Sequence, residues 1–70
     1  MTMYKGHELE AVSYENLNTG RWIPVVHITY PKGTSITTLP LTDLDHEQDT
    51  RAAADGYALT MGQQWVDNHT

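Results

Sequence analysis

The hydrophobic period of this chain changes once, and that change limits the fold more than any other feature. From His7 to Leu39 the apolar residues follow strand patterns, rich in β-branched and aromatic side chains. Beyond Leu41 they recur at helical spacing, with Ala54, Tyr57, Ala58, Met61 and Trp65 on one stripe. Strands first and one helix last give an α+β chain of order β-β-β-α. Its three-stranded antiparallel sheet packs against one C-terminal amphipathic helix. The 70 residues make a single domain, 1–70.

Turn chemistry sets the boundaries. A first strand is expected over about 7–15, and Asn16-Leu17-Asn18-Thr19-Gly20 then supplies residues that tolerate positive φ. The second strand, about 21–30, carries Pro24, whose missing donor places it at an edge or a bulge. Tyr30-Pro31-Lys32-Gly33 reads as a tight turn, and a third strand over about 34–39 stops at Pro40. The helix spans about 48–67. Thr50 or Asp45 is its N-cap, Asn68 its C-terminal stop, and Gly62 a point of close approach to the sheet.

Pairing Asn16 with Arg21 fixes the faces. His7, Leu9 and Ala11 then share a side with Trp22, Val26, Ile28 and Tyr30, which receives Ala54, Ala58, Met61 and Trp65. The other side carries Glu8, Glu10, Val12 and Tyr14 with Ile23, Val25, His27 and Thr29. On that outer side Val12, Tyr14, Ile23 and Val25 form an apolar cluster, the candidate interface. An exposed patch there would tolerate Ile23→Glu without loss of folding.

A chain this short buries roughly 60% of the surface its unfolded form exposes, so its core supplies about 3–5 kcal/mol. With no cysteine in the sequence, neither a disulfide nor a thiolate zinc site reinforces it. Self-association is a common remedy, and a protein partner or a second copy in a homodimer is expected to dock through the outer face or an open strand edge. The absence of cysteine also leaves the cytoplasm as the default compartment.

Four Lys and Arg against nine Asp and Glu give a net charge of −5 with histidines neutral. Lys5, Arg21, Lys32 and Arg51 are scattered, so the basic patch that nucleic acid or an anionic membrane demands is missing. The N-terminal stretch has no continuous apolar run to act as signal peptide or membrane span.

His7, His27, His46 and His69 show no metal-ligand spacing, and the acidic run Asp43, Asp45, Glu47, Asp49 lacks the glycine and ligand spacing of a calcium loop. Ser13 has no nucleophile elbow around it, and no glycine-rich phosphate loop is present. No catalytic, cofactor-binding or metal residue is therefore assigned, no cofactor is expected, and the chain is read as a non-enzyme.

Tyr4-Lys5-Gly6, Gly20-Arg21-Trp22, Met61-Gly62 and Trp65-Val66-Asp67 together resemble a set of short, uncharacterised proteobacterial single-domain proteins. That resemblance implies a curled antiparallel sheet with one C-terminal helix, loosely like part of a double-stranded-RNA-binding fold. It implies no reaction, cofactor or functional residue. The reading from sequence is a protein-interaction module. The alternatives are a nucleic-acid-associated regulator, disfavoured by charge, and a small-ligand or metal sensor using His7 or His27.

Overall fold

The computed structural model describes residues Thr2–His69. Six strands precede one helix: β1 (Thr2–Tyr4), β2 (His7–Ala11), β3 (Tyr14–Asn16), β4 (Arg21–Ile23), β5 (Val25–Lys32), β6 (Ser35–Thr42) and α1 (Arg51–Asn68). The main sheet is antiparallel with order β1-β2-β5-β6, and β3-β4 form a second, two-stranded sheet. The class is α+β, as expected, with a fourth strand in the main sheet.

That extra strand comes from a two-residue hairpin loop. Lys5 and Gly6 have φ of 49° and 78°, the double positive φ of a type I′ turn, whose twist matches the flanking strands. The turn expected at Tyr30–Gly33 lies further on. Lys32 pairs with Ser35, so Gly33 and Thr34 form the loop, and Gly33 supplies the positive φ of 63°.

A two-residue loop closes on a hydrogen-bonded pair, and such pairs alternate along the ladder. Ser35, Thr37, Leu39 and Leu41 of β6 therefore bond to β5, while Ile36, Thr38, Pro40 and Thr42 direct their backbone polar groups outward. Pro40 consequently does not end the strand. Its missing N–H falls on the free edge, where no ladder bond is lost. The same alternation turns Val25 toward the β2 side, where its carbonyl accepts from the Val12 N–H at 2.8 Å.

The predicted long strands 7–15 and 21–30 both break at one level, at Val12–Ser13 and at Pro24. Asn16 does pair with Arg21, but beyond the break the hairpin belongs to the second sheet. Alternation fails across it, and Ile23, Pro24, Val25 and Val26 are buried in succession. Trp22, expected on the inner face beside Val26, lies in the second sheet instead. It exchanges backbone hydrogen bonds of 2.8 Å with Gln48, and Arg51 sits over its ring at 6.0 Å.

The helix begins at Thr50, whose hydroxyl accepts from the Ala53 N–H at 3.1 Å. Its buried row is Ala54, Ala58, Gly62 and Val66, at i, i+4 spacing. Met61 and Trp65, placed on the sheet-facing stripe by sequence, flank that row and are partly buried. Small side chains let the helix axis sit low over Leu9, Val26 and Ile28, all fully buried. A Cβ on Gly62 would lie 3.3 Å from Val26 Cγ2 and 3.4 Å from a Leu9 methyl, so the expected close approach occurs there.

Candidate functional site

One helix covers one face of the main sheet. Side chains alternate, so the registers assign the other face: Met3 from β1, Glu8 and Glu10 from β2, His27, Thr29 and Pro31 from β5, and Ile36, Thr38 and Pro40 from β6. Most of this face is polar, as a solvated sheet face should be. Glu10 stands opposite His27, and the Thr29 and Thr38 hydroxyls share a hydrogen bond of 3.1 Å.

At the end nearest the β1–β2 and β5–β6 turns the character changes. Met3 is 65% exposed and Ile36 77% exposed. With Pro31 and Gly6 they border a shallow groove of about 300 Å³, into which Glu8 and Thr29 project. The walls come from the two edge strands and the floor from the two central ones. This groove is the candidate site.

The four residues singled out from the sequence do not meet on one exposed surface. Ile23 is 5% and Val25 7% exposed, Val12 is half-buried, and only Tyr14, at 47%, is open to solvent. The cause is the bend at Ser13 and Pro24, together with the chain that follows β6. Gln48 pairs along β4, the Asp43 N–H donates to Pro24 O at 3.2 Å, and the Ser13 N–H donates to Asp55 Oδ1 at 3.3 Å. Apolar residues on the outward phase of a straight hairpin become core when the hairpin bends. Ile23 and Val25 are thus interior, Val12 is half-buried and Tyr14 alone stays exposed, and Met3 and Ile36 are the exposed apolar residues that sequence reasoning missed. The signal available for Met3 was Lys5-Gly6 between Tyr4 and His7, a hairpin loop that makes Thr2–Tyr4 a strand.

Three polar or aromatic clusters lie elsewhere. Asp43 Oδ2 is 2.8 Å from His46 Nδ1 and accepts from the Tyr57 hydroxyl at 2.8 Å, while Asp43 Oδ1 accepts from the Asp45 N–H at 3.1 Å. The His46 hydrogen bond, then that of Tyr57, lowers the Asp43 pKa. The same contacts with Asp43 raise those of His46 and Tyr57. Among the described residues no hydroxyl or thiol nucleophile is bonded to the His46 ring, which stacks on Tyr57. The cluster ties the β6–α1 connection to the helix.

At the opposite end of the helix, Asp67 accepts from Lys5 Nζ at 2.7 Å and from the Tyr4 hydroxyl at 2.8 Å. Those hydrogen bonds lower the Asp67 pKa and raise the pKa of Lys5 and Tyr4. They pin the β1–β2 turn to the last helical turn. Beside them Trp65 stacks on His69, with ring centroids 4.1 Å apart, and meets Tyr30 and His7 edge-on or tilted.

His7 thus lies on the inner face and His27 on the outer one. Among the described residues no three His, Asp or Glu side chains converge as a metal centre would require. Arg21 pairs with Asp49 at 3.2 Å and Arg51 with Asp55 at 3.7 Å. Together with the Lys5 pair, three of the four cations are engaged with carboxylates of the chain itself. No described helix is long and apolar enough to cross a membrane. No family model, curated protein or solved structure matches the chain.

Proposed function

We propose that this chain is a non-enzymatic protein-interaction module, acting in the cytoplasm, that docks through the uncovered face of its main sheet. The observation that carries the reading is the groove between Met3 and Ile36. Two large apolar side chains stand more than half exposed on the face the helix leaves open, on a chain with few apolar residues to spare. Scattered single apolar residues are ordinary on any surface. Here two edge strands bring theirs to the same groove, over polar side chains of the central strands.

The carboxylates favour the same reading over the nucleic-acid alternative. Glu8 and Glu10 are the charged groups of this face, and phosphates would be repelled from it. The resemblance to short proteobacterial single-domain proteins brings no activity with it, so the surface itself is the support.

Comparative capture tests the proposal. Proteins cross-linked to the chain in cells are compared for wild type, Ile36→Glu and Leu17→Glu. Leu17 is 87% exposed in the loop between β3 and β4, remote from the groove. The expected result is a set of partners lost with Ile36→Glu and kept with Leu17→Glu. Equal retention by both variants would show that the groove is not the docking surface.

A further inference from the structure

The main sheet ends in two unlike edges. β1 has three residues, and alternation from its two-residue loop leaves only Met3 with outward backbone groups. β6 has eight residues, and the same rule leaves Ile36, Thr38, Pro40 and Thr42 facing outward, with three free N–H donors and four free carbonyls. Edges of this length are normally blunted by lysine, bulges, inward charges or proline. Ser35–Thr42 contains no charged residue, and its pairing with β5 is continuous over all eight positions. Pro40 is its one protective feature.

We infer that β6 pairs antiparallel with β6 of a second copy, across a two-fold axis at Thr37, to join two four-stranded sheets into one of eight strands. The inference rests on the interaction-module reading and names the partner. Three features select a second copy and this register.

Hydrogen-bonding groups are the first. With Thr37 opposite Thr37, Ile36 of each copy faces Thr38 of the other, and both are outward-bonding positions. Each such pair exchanges two N–H···O bonds, giving four across the axis. Pro40 is the second feature. In this register it falls opposite Thr34, in the turn beyond the end of the other β6, where a missing donor removes no ladder bond. Centring the axis on Thr38 instead would set Ile36 against Pro40 and lose two donors.

Charge is the third. Each chain carries −5, so most approaches of two copies oppose carboxylates. The paired stretch, Ser35–Leu39, is uncharged, and no like charges come to stand opposite one another. Ile36 of the two copies also flank the axis on the outer face. Pairing therefore covers part of the most exposed apolar side chain of the main sheet and brings the two grooves toward each other.

Amide hydrogen exchange on the intact chain, followed residue by residue against protein concentration, tests the pairing. The Thr37 and Leu39 amides are bonded to β5 and should be protected at every concentration. Those of Ile36 and Thr38 should exchange freely when dilute and become protected as sedimentation shows dimer forming. Thr38→Pro removes an outward donor at a position equivalent to Pro40. It should weaken dimerisation by roughly tenfold or more while leaving the fold's thermal transition in place.

Free exchange at Ile36 and Thr38 at millimolar concentration overturns the inference, and so does a dimer that persists undiminished in Thr38→Pro. Protection that appears only when a foreign strand is supplied from cell extract gives the edge to another occupant and overturns it too. If the chain stays monomeric while Ile36→Glu still abolishes partner capture, the β6 pairing alone has failed and the interaction-module reading stands.

Discussion

Replacing each of the two helical glycines by alanine measures how the helix is seated. Both lie inside α1 with ordinary negative φ, so Gly→Ala should gain the same helix propensity at each, about 0.5–1 kcal/mol. Their surroundings differ. Gly56 is exposed, with no atom within 4 Å of an added Cβ, whereas at Gly62 the Cβ would lie 3.3 Å from Val26 Cγ2, and 3.4 and 3.5 Å from the two Leu9 methyls. Those neighbours are fully buried and cannot swing aside. Val26 is β-branched and held in a ladder on both sides. Overpacking of this kind costs about 1–3 kcal/mol. Gly56→Ala should therefore stabilise by about 0.5–1 kcal/mol, while Gly62→Ala nets to between about zero and 2.5 kcal/mol of destabilisation.

The contrast between the two variants, about 1–3 kcal/mol, is the sharper quantity because propensity cancels in it. Urea denaturation at constant slope reads it as a difference in midpoint. In a Val26→Ala background, itself destabilised by the lost core methyls, Gly62→Ala should cost less than in wild type, and a double-mutant cycle isolates that coupling. If Gly62→Ala stabilises as much as Gly56→Ala, the helix does not rest on Val26 and Leu9 through that glycine. The account of the buried row would then be wrong.

Two further outcomes follow from the bend and from Asp43. Ile23→Glu places a carboxylate at a position 5% exposed, and it should destabilise by about 3 kcal/mol or more, enough to unfold a chain of this size; retention of the native circular-dichroism spectrum and thermal transition would restore Ile23 to the surface. His46, its pKa raised by its hydrogen bond to the Asp43 carboxylate, contributes stability that is fully present below its ordinary pKa near 6.5 and is lost as pH rises through the folded value. Asp43, lowered by His46 and then Tyr57, contributes stability above its ordinary range near 4, lost as pH falls through the folded value. The margin of wild type over His46→Gln should therefore be widest between about pH 4.5 and 6 and should shrink by pH 8.5. A margin flat across that range in denaturant titrations would remove the ion pair as its source.

What was legible in the sequence is what local chemistry dictates. The change of period gave the α+β class, and Asn16 through Gly20 gave the hairpin that pairs Asn16 with Arg21. Of the two N-caps the sequence allowed, Thr50 or Asp45, Thr50 takes the role, so the helix starts at Arg51, three residues past the expected start near 48. The alternation that placed Leu9 and Ile28 on the inner face also held. Alternation assumes a continuous strand, however, and it broke down at Pro24. A proline in a strand permits an edge, a bulge or a sheet crossing, and only the partner strand decides among them. Pro40 shows the reverse case: it looks like a stop in isolation, yet it is harmless where its nitrogen faces an unpaired edge. Of the buried helix row, Ala54 and Ala58 lay on the predicted stripe and Gly62 at the predicted close approach, and only Val66 was missed; Met61 and Trp65 dominate the pattern because alanine and glycine add little hydrophobic signal. They are inside because they are small, and shape does not register in a hydropathy pattern.

The candidate surface moved for the same reason. A sheet has two faces, and one 18-residue helix covers one of them, so a chain of 70 residues must leave sheet surface uncovered unless it bends the sheet over itself. This chain does both. The distal hairpin turns at Ser13 and Pro24, and the connection after β6 runs back along it, which takes Ile23 and Val25 into the interior. In the proximal half Met3, Pro31 and Ile36 stay exposed around the groove. Solvation demands only that such a face be polar, and Glu8, Glu10, Thr29 and Thr38 satisfy that demand along its middle. An apolar groove where the two edge strands end, beside an uncharged edge of eight residues, goes beyond what solvation needs. Polar residues there would serve a lone monomer better, and that excess of exposed apolar surface is the ground on which the proposed docking rests.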